Sequence, residues 1–122
     1  MCRSEDSYPA HILIVDDEES LARLLRATLL GHVQAEVLIA TSGAGALEIM
    51  QCVPIDVLIT DYVMPGMNGL ELIASLRRRS NTARVILITA FDVPEVHMAA
   101  QQLGVSEIMI KPFDPLRFRE LF

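Results

Sequence analysis

Polar side chains stand directly after short apolar runs at several places in this chain. Asp16 and Asp17 follow the first run, and Asp61, Thr89 and Lys111 close or follow three later runs. If these runs form parallel strands, their carboxyl ends meet at one edge of a sheet, where ligands bind in folds of this class. The sequence therefore predicts three carboxylates, a hydroxyl and an amine at one edge.

These residue types suit the binding of a phosphoryl group beside a metal ion. Clustered carboxylates repel one another, and their pKa values rise unless a cation neutralises them. Carboxylate oxygens suit Mg²⁺, which often holds a phosphoryl group as a further ligand. Lys111 and Thr89 would then bind the other phosphoryl oxygens.

Each of these residues also has an ordinary structural explanation. Acidic residues at a helix N-terminus are favourable by roughly 0.3–1 kcal/mol each, and we adopt that explanation for Glu18 and Glu19. Asp61 could be a turn residue, Thr89 a strand residue and Lys111 a solvated charge. Their recurrence at the ends of separate predicted strands is better explained by one shared site.

Five short apolar runs alternate with segments of helical period along the chain. Most of the runs are continuous Val, Ile and Leu, which is typical of strands covered on both faces. The alternation predicts a parallel sheet with crossover helices. The predicted strands are residues 11–15, 36–40, 56–60, 84–89 and 107–110.

Apolar spacing and capping residues predict the five helices. Leu21, Leu24, Leu25 and Leu29 form the stripe of the first helix, and Gly31 follows where a positive φ is favoured. Residues typical of helix N-termini mark the others: Ser42, Asn68 with Glu71, Asp92 with Glu95, and Asp114 with Pro115.

The composition is that of one folded domain. The chain has 122 residues, of which 52% are hydrophobic and 21% charged. A net charge of −6 argues against a nucleic-acid partner. No apolar run approaches the ~18 residues that span a bilayer, and the N-terminus has no apolar signal core, so we expect a cytoplasmic protein without a membrane partner.

The predicted organisation is a flexible leader at residues 1–8 and a single domain at residues 9–122. The last predicted helix is short or truncated, because the chain stops partway through it. Cys2 and Cys52 make neither a disulfide framework nor a zinc site.

Four sequence blocks resemble the receiver domain of two-component response regulators. They are IVDDE at residues 14–18, DYVMPGMNG at 61–69, ITA at 88–90 and IKPF at 110–113. The resemblance covers residues 10–121. It implies an α/β, flavodoxin-like fold, which is a doubly wound five-stranded parallel sheet of strand order 2-1-3-4-5 with five helices.

The resemblance also implies the roles of the residues at the sheet edge. Asp61 would be the phosphoacceptor, a carboxylate nucleophile that forms an acyl phosphate. Asp16 and Asp17 would hold Mg²⁺ together with Asp61 and the backbone carbonyl of Val63. Lys111 would pair with the phosphoryl group.

Four further expectations follow from the resemblance. The peptide bond from Lys111 to Pro112 would be cis, and Thr89 would swing its hydroxyl onto a phosphoryl oxygen. Receivers commonly place Tyr or Phe three residues before the lysine, where this chain has Ile108, so we expect the fourth-helix face to respond less or differently. Val63 and Phe91 would flank the path of the attacking water, and neither can orient a water molecule, which predicts slow loss of the phosphoryl group.

The implied function is that of a signalling domain. It would take a phosphoryl group from a histidine kinase or histidine phosphotransfer protein, and it would turn over no external substrate. Output could pass to an effector domain or through self-association by the face from the fourth to the fifth helix.

Two alternatives remain open. One is a degenerate receiver that acts only as a protein-interaction module. The other is a Mg²⁺-dependent aspartyl-phosphate phosphatase of the haloacid dehalogenase type, whose motif is Asp-x-Asp after the first strand. Here Tyr62 and Val63 follow Asp61, so the second Asp is missing.

Overall fold

The computed structural model describes residues 10–79 and 81–122, so the predicted leader lies outside the described residues. Five strands alternate with five helices. In chain order they are β1 (Ala10–Val15), α1 (Glu19–Leu29), β2 (Ala35–Ala40), α2 (Gly43–Cys52), β3 (Val57–Asp61), α3 (Gly69–Arg78), β4 (Arg84–Thr89), α4 (Pro94–Gln102), β5 (Glu107–Ile110) and α5 (Pro115–Arg119).

The strands form one parallel sheet in the order β2-β1-β3-β4-β5, as the resemblance implied. Helices cover both faces, and each face has its own apolar core. On one face, Leu58 and Leu87 pack with Leu72 of α3. On the other face, Ile59 packs with Leu25 of α1 and Phe118 of α5. Burial on both faces explains why the strands are continuously apolar.

Most of the predicted helix ends are confirmed. Asn68 and Glu71 form the reciprocal capping box of α3, and the Ser42 side chain caps α2 by accepting from the Gly45 amide. Asp114 caps α5 in the same way by accepting from the Leu116 amide. Each cap satisfies a backbone N–H that has no partner within its helix.

Two details of the helices differ from the sequence prediction. Val93 rather than Asp92 is the N-terminal cap of α4, and the Asp92 carboxylate instead lies 2.7 Å from Nε2 of His97. Leu24 is about half exposed although it belongs to the predicted apolar stripe of α1, because the buried face of that helix runs through Ala22 and Leu25. Within the described part of the chain, no helix is long and apolar enough to cross a membrane.

Candidate functional site

The five polar residues predicted to converge lie at the carboxyl edge of the sheet. Asp61 and Thr89 are the last residues of β3 and β4, and Asp16 and Lys111 directly follow β1 and β5. The parallel register aligns these strand ends, with Val15 beside Thr60 and Thr89 beside Ile110. The fold therefore creates the cluster by ending neighbouring strands at one level.

The three carboxylates approach closely enough to share one cation. One oxygen from each of Asp16, Asp17 and Asp61 lies within 4.8 Å of the others. The Lys111 ammonium lies 3.2 Å from Oδ2 of Asp61 and 3.9 Å from Oδ2 of Asp16. Since one lysine faces three carboxylates, the cluster retains excess negative charge.

Asp16 has one satisfied oxygen and one unsatisfied oxygen. Its Oδ1 accepts a hydrogen bond of 2.8 Å from the backbone N–H of Glu18, at the start of α1. Its Oδ2 is buried and has no hydrogen-bond partner. A buried carboxylate oxygen without a donor is costly, and a cation among the three carboxylates would remove that cost.

The electrostatics of the cluster favour protonation when no cation is present. The pKa of Asp16 is raised from 3.8 to about 6; burial is the largest cause, and the neighbouring Asp61 and Asp17 act in the same direction. The Glu18 N–H and Lys111 act in the opposite direction. Burial also raises the pKa of Asp61, although the contact with Lys111 lowers it.

The donor set fits a hard divalent ion. Three carboxylate oxygens within one ion's reach, one of them buried and without a hydrogen-bond donor, are ligands of the type that Mg²⁺ takes in proteins. The resemblance assigns a fourth oxygen to Val63, which is two residues after Asp61 in the loop between β3 and α3.

Thr89 lies at the same edge of the sheet, where a backbone amide donates a hydrogen bond to its hydroxyl oxygen. Its Oγ1 accepts a hydrogen bond of 2.8 Å from the backbone N–H of Phe91. The backbone of Thr89 accepts a bond of 2.9 Å from the N–H of Lys111, which ties the ends of β4 and β5 together. The Lys111–Pro112 peptide bond is cis, as the resemblance implied.

Gly69 is a residue of the site region whose role the sequence analysis missed. A Cβ at this position would collide with the backbone oxygen of Asp61 and would lie 3.1 Å from Cα of Tyr62. The Gly69 N–H donates to the Tyr62 oxygen at 2.8 Å. The first residue of α3 must therefore be glycine for the helix to sit against the end of β3. Its signal in the sequence is the Asn-Gly pair that ends the loop.

Two exposed apolar residues follow Asp61 and Thr89, each by two positions. Val63 is 53% exposed and Phe91 is 52% exposed. Both line a pocket of about 480 Å³ together with Tyr62, Met64 and Val93. The position that is commonly aromatic, Ile108, instead packs against the core on the α4 side of the sheet.

Comparison with known proteins agrees with this architecture. The family model of the response regulator receiver domain matches residues 12–122. The chain is 36% identical over 107 residues to the probable transcriptional regulator ycf27 of Cyanidium caldarium, a match that covers 86% of this chain and 41% of that protein. It is 35% identical over 111 residues to the Regulator of RpoS of Escherichia coli (strain K12), covering 90% of this chain and 33% of the relative.

Solved structures show the same fold over nearly the whole chain. The chemotaxis protein CheY4 of Vibrio cholerae superposes with a TM-score of 0.86 at 29% identity, covering 93% of this chain and 96% of that one. The signal receiver domain of the putative response regulator NarL of Mycobacterium tuberculosis gives 0.81 at 27% identity, covering 94% of each chain. Since this chain spans only 41% and 33% of the two curated relatives, the similarity concerns one domain of those proteins. With the family model matching residues 12–122, the chain belongs to the response regulator receiver domains of two-component systems.

Proposed function

We propose that this domain accepts a phosphoryl group on Asp61 from a histidine kinase or a histidine phosphotransfer protein, with Mg²⁺ bound beside it. The observation that carries the proposal is the approach of Asp16, Asp17 and Asp61 within 4.8 Å, with Lys111 3.2 Å from Asp61. An isolated buried aspartate would have neither the charge to hold a cation nor a lysine to stabilise a transferred phosphoryl group.

The proposed reaction is an in-line displacement at phosphorus. A carboxylate oxygen of Asp61 forms a P–O bond while the P–N bond to the donor's imidazole breaks, and the imidazole leaves as the neutral base after taking up a proton. Asp61 must be ionised to attack, and Lys111 favours that form against the effect of burial. Lys111 then pairs with the transferred group.

Asp16, Asp17, Asp61 and the Val63 carbonyl would hold Mg²⁺. When bound, the ion would neutralise the negative charge that the phosphoryl oxygens bring to the cluster. Asp16 orients the loop through the Glu18 N–H, which fixes where its second oxygen points. After the transfer, the Thr89 hydroxyl would donate a hydrogen bond to a phosphoryl oxygen.

The proposal describes a switch without an external substrate. The haloacid dehalogenase alternative is disfavoured because Tyr62 and Val63 follow Asp61 where a second aspartate is required. The degenerate receiver is disfavoured because the acidic cluster and Lys111 are both present. Output would pass to an effector domain or through self-association by the face from α4 to α5.

The mass of the chain after incubation with acetyl phosphate and Mg²⁺ tests the proposal. We expect a gain of one phosphoryl group that alkali removes, as is typical of an acyl phosphate. A parallel incubation with EDTA in place of Mg²⁺ should leave the mass unchanged. Failure to gain a phosphoryl group from acetyl phosphate or from phosphoramidate would favour the interaction-module alternative.

Mg²⁺ affinity is expected to depend on Asp17. Asp17→Ala should weaken binding by about tenfold or more, because one negative charge leaves the immediate surroundings of the ion. Isothermal titration with MgCl₂ measures this. The matched control is Glu18→Ala, which removes an adjacent carboxylate outside the cluster whose side chain caps no amide. Equal affinities of the parent and Asp17→Ala would contradict the assignment.

The acyl phosphate is expected to decay slowly because Val63 and Phe91 cannot orient the attacking water. The double variant Val63→Asn with Phe91→Glu should lose the phosphoryl group about tenfold faster or more, since an amide and a carboxylate can position water for in-line attack. Decay is followed by mass after removal of the donor. Val93→Asn, an exposed valine of the same pocket, serves as the control. A double variant that decays at the parent rate would rule the idea out.

A further inference from the structure

A single hydrogen bond connects the Thr89 hydroxyl to the loop that precedes α4. Thr89 is fully buried, and its Oγ1 accepts from the Phe91 N–H at 2.8 Å. The bond closes a short turn that fixes the backbone of Phe91. A χ1 rotation that carries Oγ1 towards a group on Asp61 takes the acceptor away from this amide.

The Phe91 side chain is held from a second direction. Its ring packs edge-to-face against Tyr62, with 6.2 Å between the ring centroids and 86° between the ring planes. Tyr62 directly follows Asp61 in the chain, and its N–H donates to the Ile88 oxygen of β4. The ring pair therefore joins the residue after Asp61 to the residue that restrains the Thr89 hydroxyl.

The ring pair also borders the start of α4. Tyr62 and Phe91 line one pocket of about 480 Å³ with Val93 and Val96, which are the cap and first-turn residues of α4. A displaced Phe91 ring would alter the apolar wall against which this end of the helix rests. Val63, two residues after Asp61, also lines this pocket.

The other described aromatic rings pack around α5. Phe113 and Phe122 each contact the ring of Phe118. Ile108 lies in β5 beside Leu87 and has no ring that can turn. Among the described residues, Tyr62 and Phe91 are the ring pair that joins the loop after β3 to the loop after β4.

We propose that the Tyr62–Phe91 ring pair reports the state of Asp61 in this chain. When Thr89 turns its hydroxyl to a phosphoryl group on Asp61, the Phe91 N–H loses its acceptor, the loop rearranges, and the ring leaves Tyr62 and changes the surface at the start of α4. The inference rests on the proposed function and adds the aromatic pair that transmits the change.

Fluorotyrosine NMR tests the inference directly. The chain has two tyrosines, Tyr8 and Tyr62, so Tyr62→Phe assigns their signals. The probe is beryllofluoride with Mg²⁺ at saturation. We expect the Tyr62 signal to move, and the displacement to fall to less than about half in Phe91→Leu, because the ring that faces Tyr62 is then absent. We also expect hydrogen exchange of the Phe91 amide to accelerate about tenfold or more.

Variants at Thr89 and Ile108 show whether the Tyr62 signal moves because the ring pair opens or because the probe binds nearby. Thr89→Ala should move the Tyr62 signal without any probe, because the Phe91 amide has no acceptor, whereas Thr89→Ser should retain the parent signal. Ile108→Val should give the full parent displacement. Equal displacement in the parent and Phe91→Leu, or an unchanged exchange rate at Phe91, would overturn the inference. If beryllofluoride does not bind at all, as judged by the Asp61 amide signal, the proposed function itself fails.

Discussion

Asp61→Asn is expected to reduce phosphorylation of this domain to background. The substitution removes the ionisable oxygen that must attack phosphorus, and it retains the size of the side chain. The buried Asp61 has a raised pKa, so a neutral side chain at this position should not unfold the domain. Labelling by acetyl phosphate with Mg²⁺ is measured by mass, and folding by circular dichroism.

The chain provides a matched control at the opposite end of the same strand. Asp56 directly precedes β3, and its carboxylate accepts the His11 N–H at 2.8 Å, a bond that an asparagine oxygen can keep. Asp56→Asn should be labelled like the parent. If Asp61→Asn gains a phosphoryl group as readily as Asp56→Asn, the acceptor is another residue and the proposed function must be reassigned.

The sheet could be predicted from sequence because a parallel strand that is buried on both faces consists of a continuous run of apolar residues. The predicted strand at residues 56–60 is observed as Val57–Asp61, and the one at 11–15 as Ala10–Val15. These one-residue differences arise because strand ends are set by pairing across the sheet, such as Ala10 with Ala35. Such pairing is a tertiary property that the local pattern does not contain.

The helices show where local signals compete with one another. Asp92 has the residue type and spacing of a helix cap, yet its carboxylate pairs with His97 one turn into α4. Both partners were visible in the sequence, but the choice between them depends on the conformation of the loop after β4. Loop conformation is the part of the fold that residue patterns determine least.

The convergence of the site could be predicted, whereas its internal contacts could not. Parallel strands that end together bring Asp16, Asp61 and Lys111 to one edge. The lack of a hydrogen bond to Asp16 Oδ2 and the bond from the Phe91 N–H to Thr89 depend on side-chain rotamers and turn geometry. These are the features that link the acidic cluster to its surroundings.

The second large effect is expected from Asp16→Asn in the absence of Mg²⁺. At pH 7 the variant should be more stable than the parent by up to about 3 kcal/mol, which is the equivalent of a pKa raised from 3.8 to about 6. Asp16 is only 1% exposed, so solvent screens little of this energy. Asparagine retains an acceptor for the Glu18 N–H and carries no charge into the buried position.

The raised pKa of Asp16 also predicts how the free energy of unfolding of the parent changes with pH. In the parent, the folded state holds the Asp16 proton up to about pH 6, and the unfolded state releases it near 3.8. Between these values the folded state binds more protons, so the free energy of unfolding falls as pH rises through the window. Asp16→Asn should flatten that fall. Urea unfolding at pH 4 and pH 7, each with EDTA, measures both quantities.

Mg²⁺ should raise the free energy of unfolding of the parent at pH 7, and it should raise that of Asp16→Asn much less. Binding to the folded state stabilises it, and Asp16→Asn removes one of the charges that hold the ion. The matched control is Glu18→Gln, which neutralises a neighbouring exposed carboxylate and should behave like the parent. If the variant gains stability at pH 7 but keeps the parent's decline between pH 4 and pH 7, another group carries that decline. If it gains none, the buried Asp16 carboxylate is not a source of instability, and its burial does not favour a cation at the cluster.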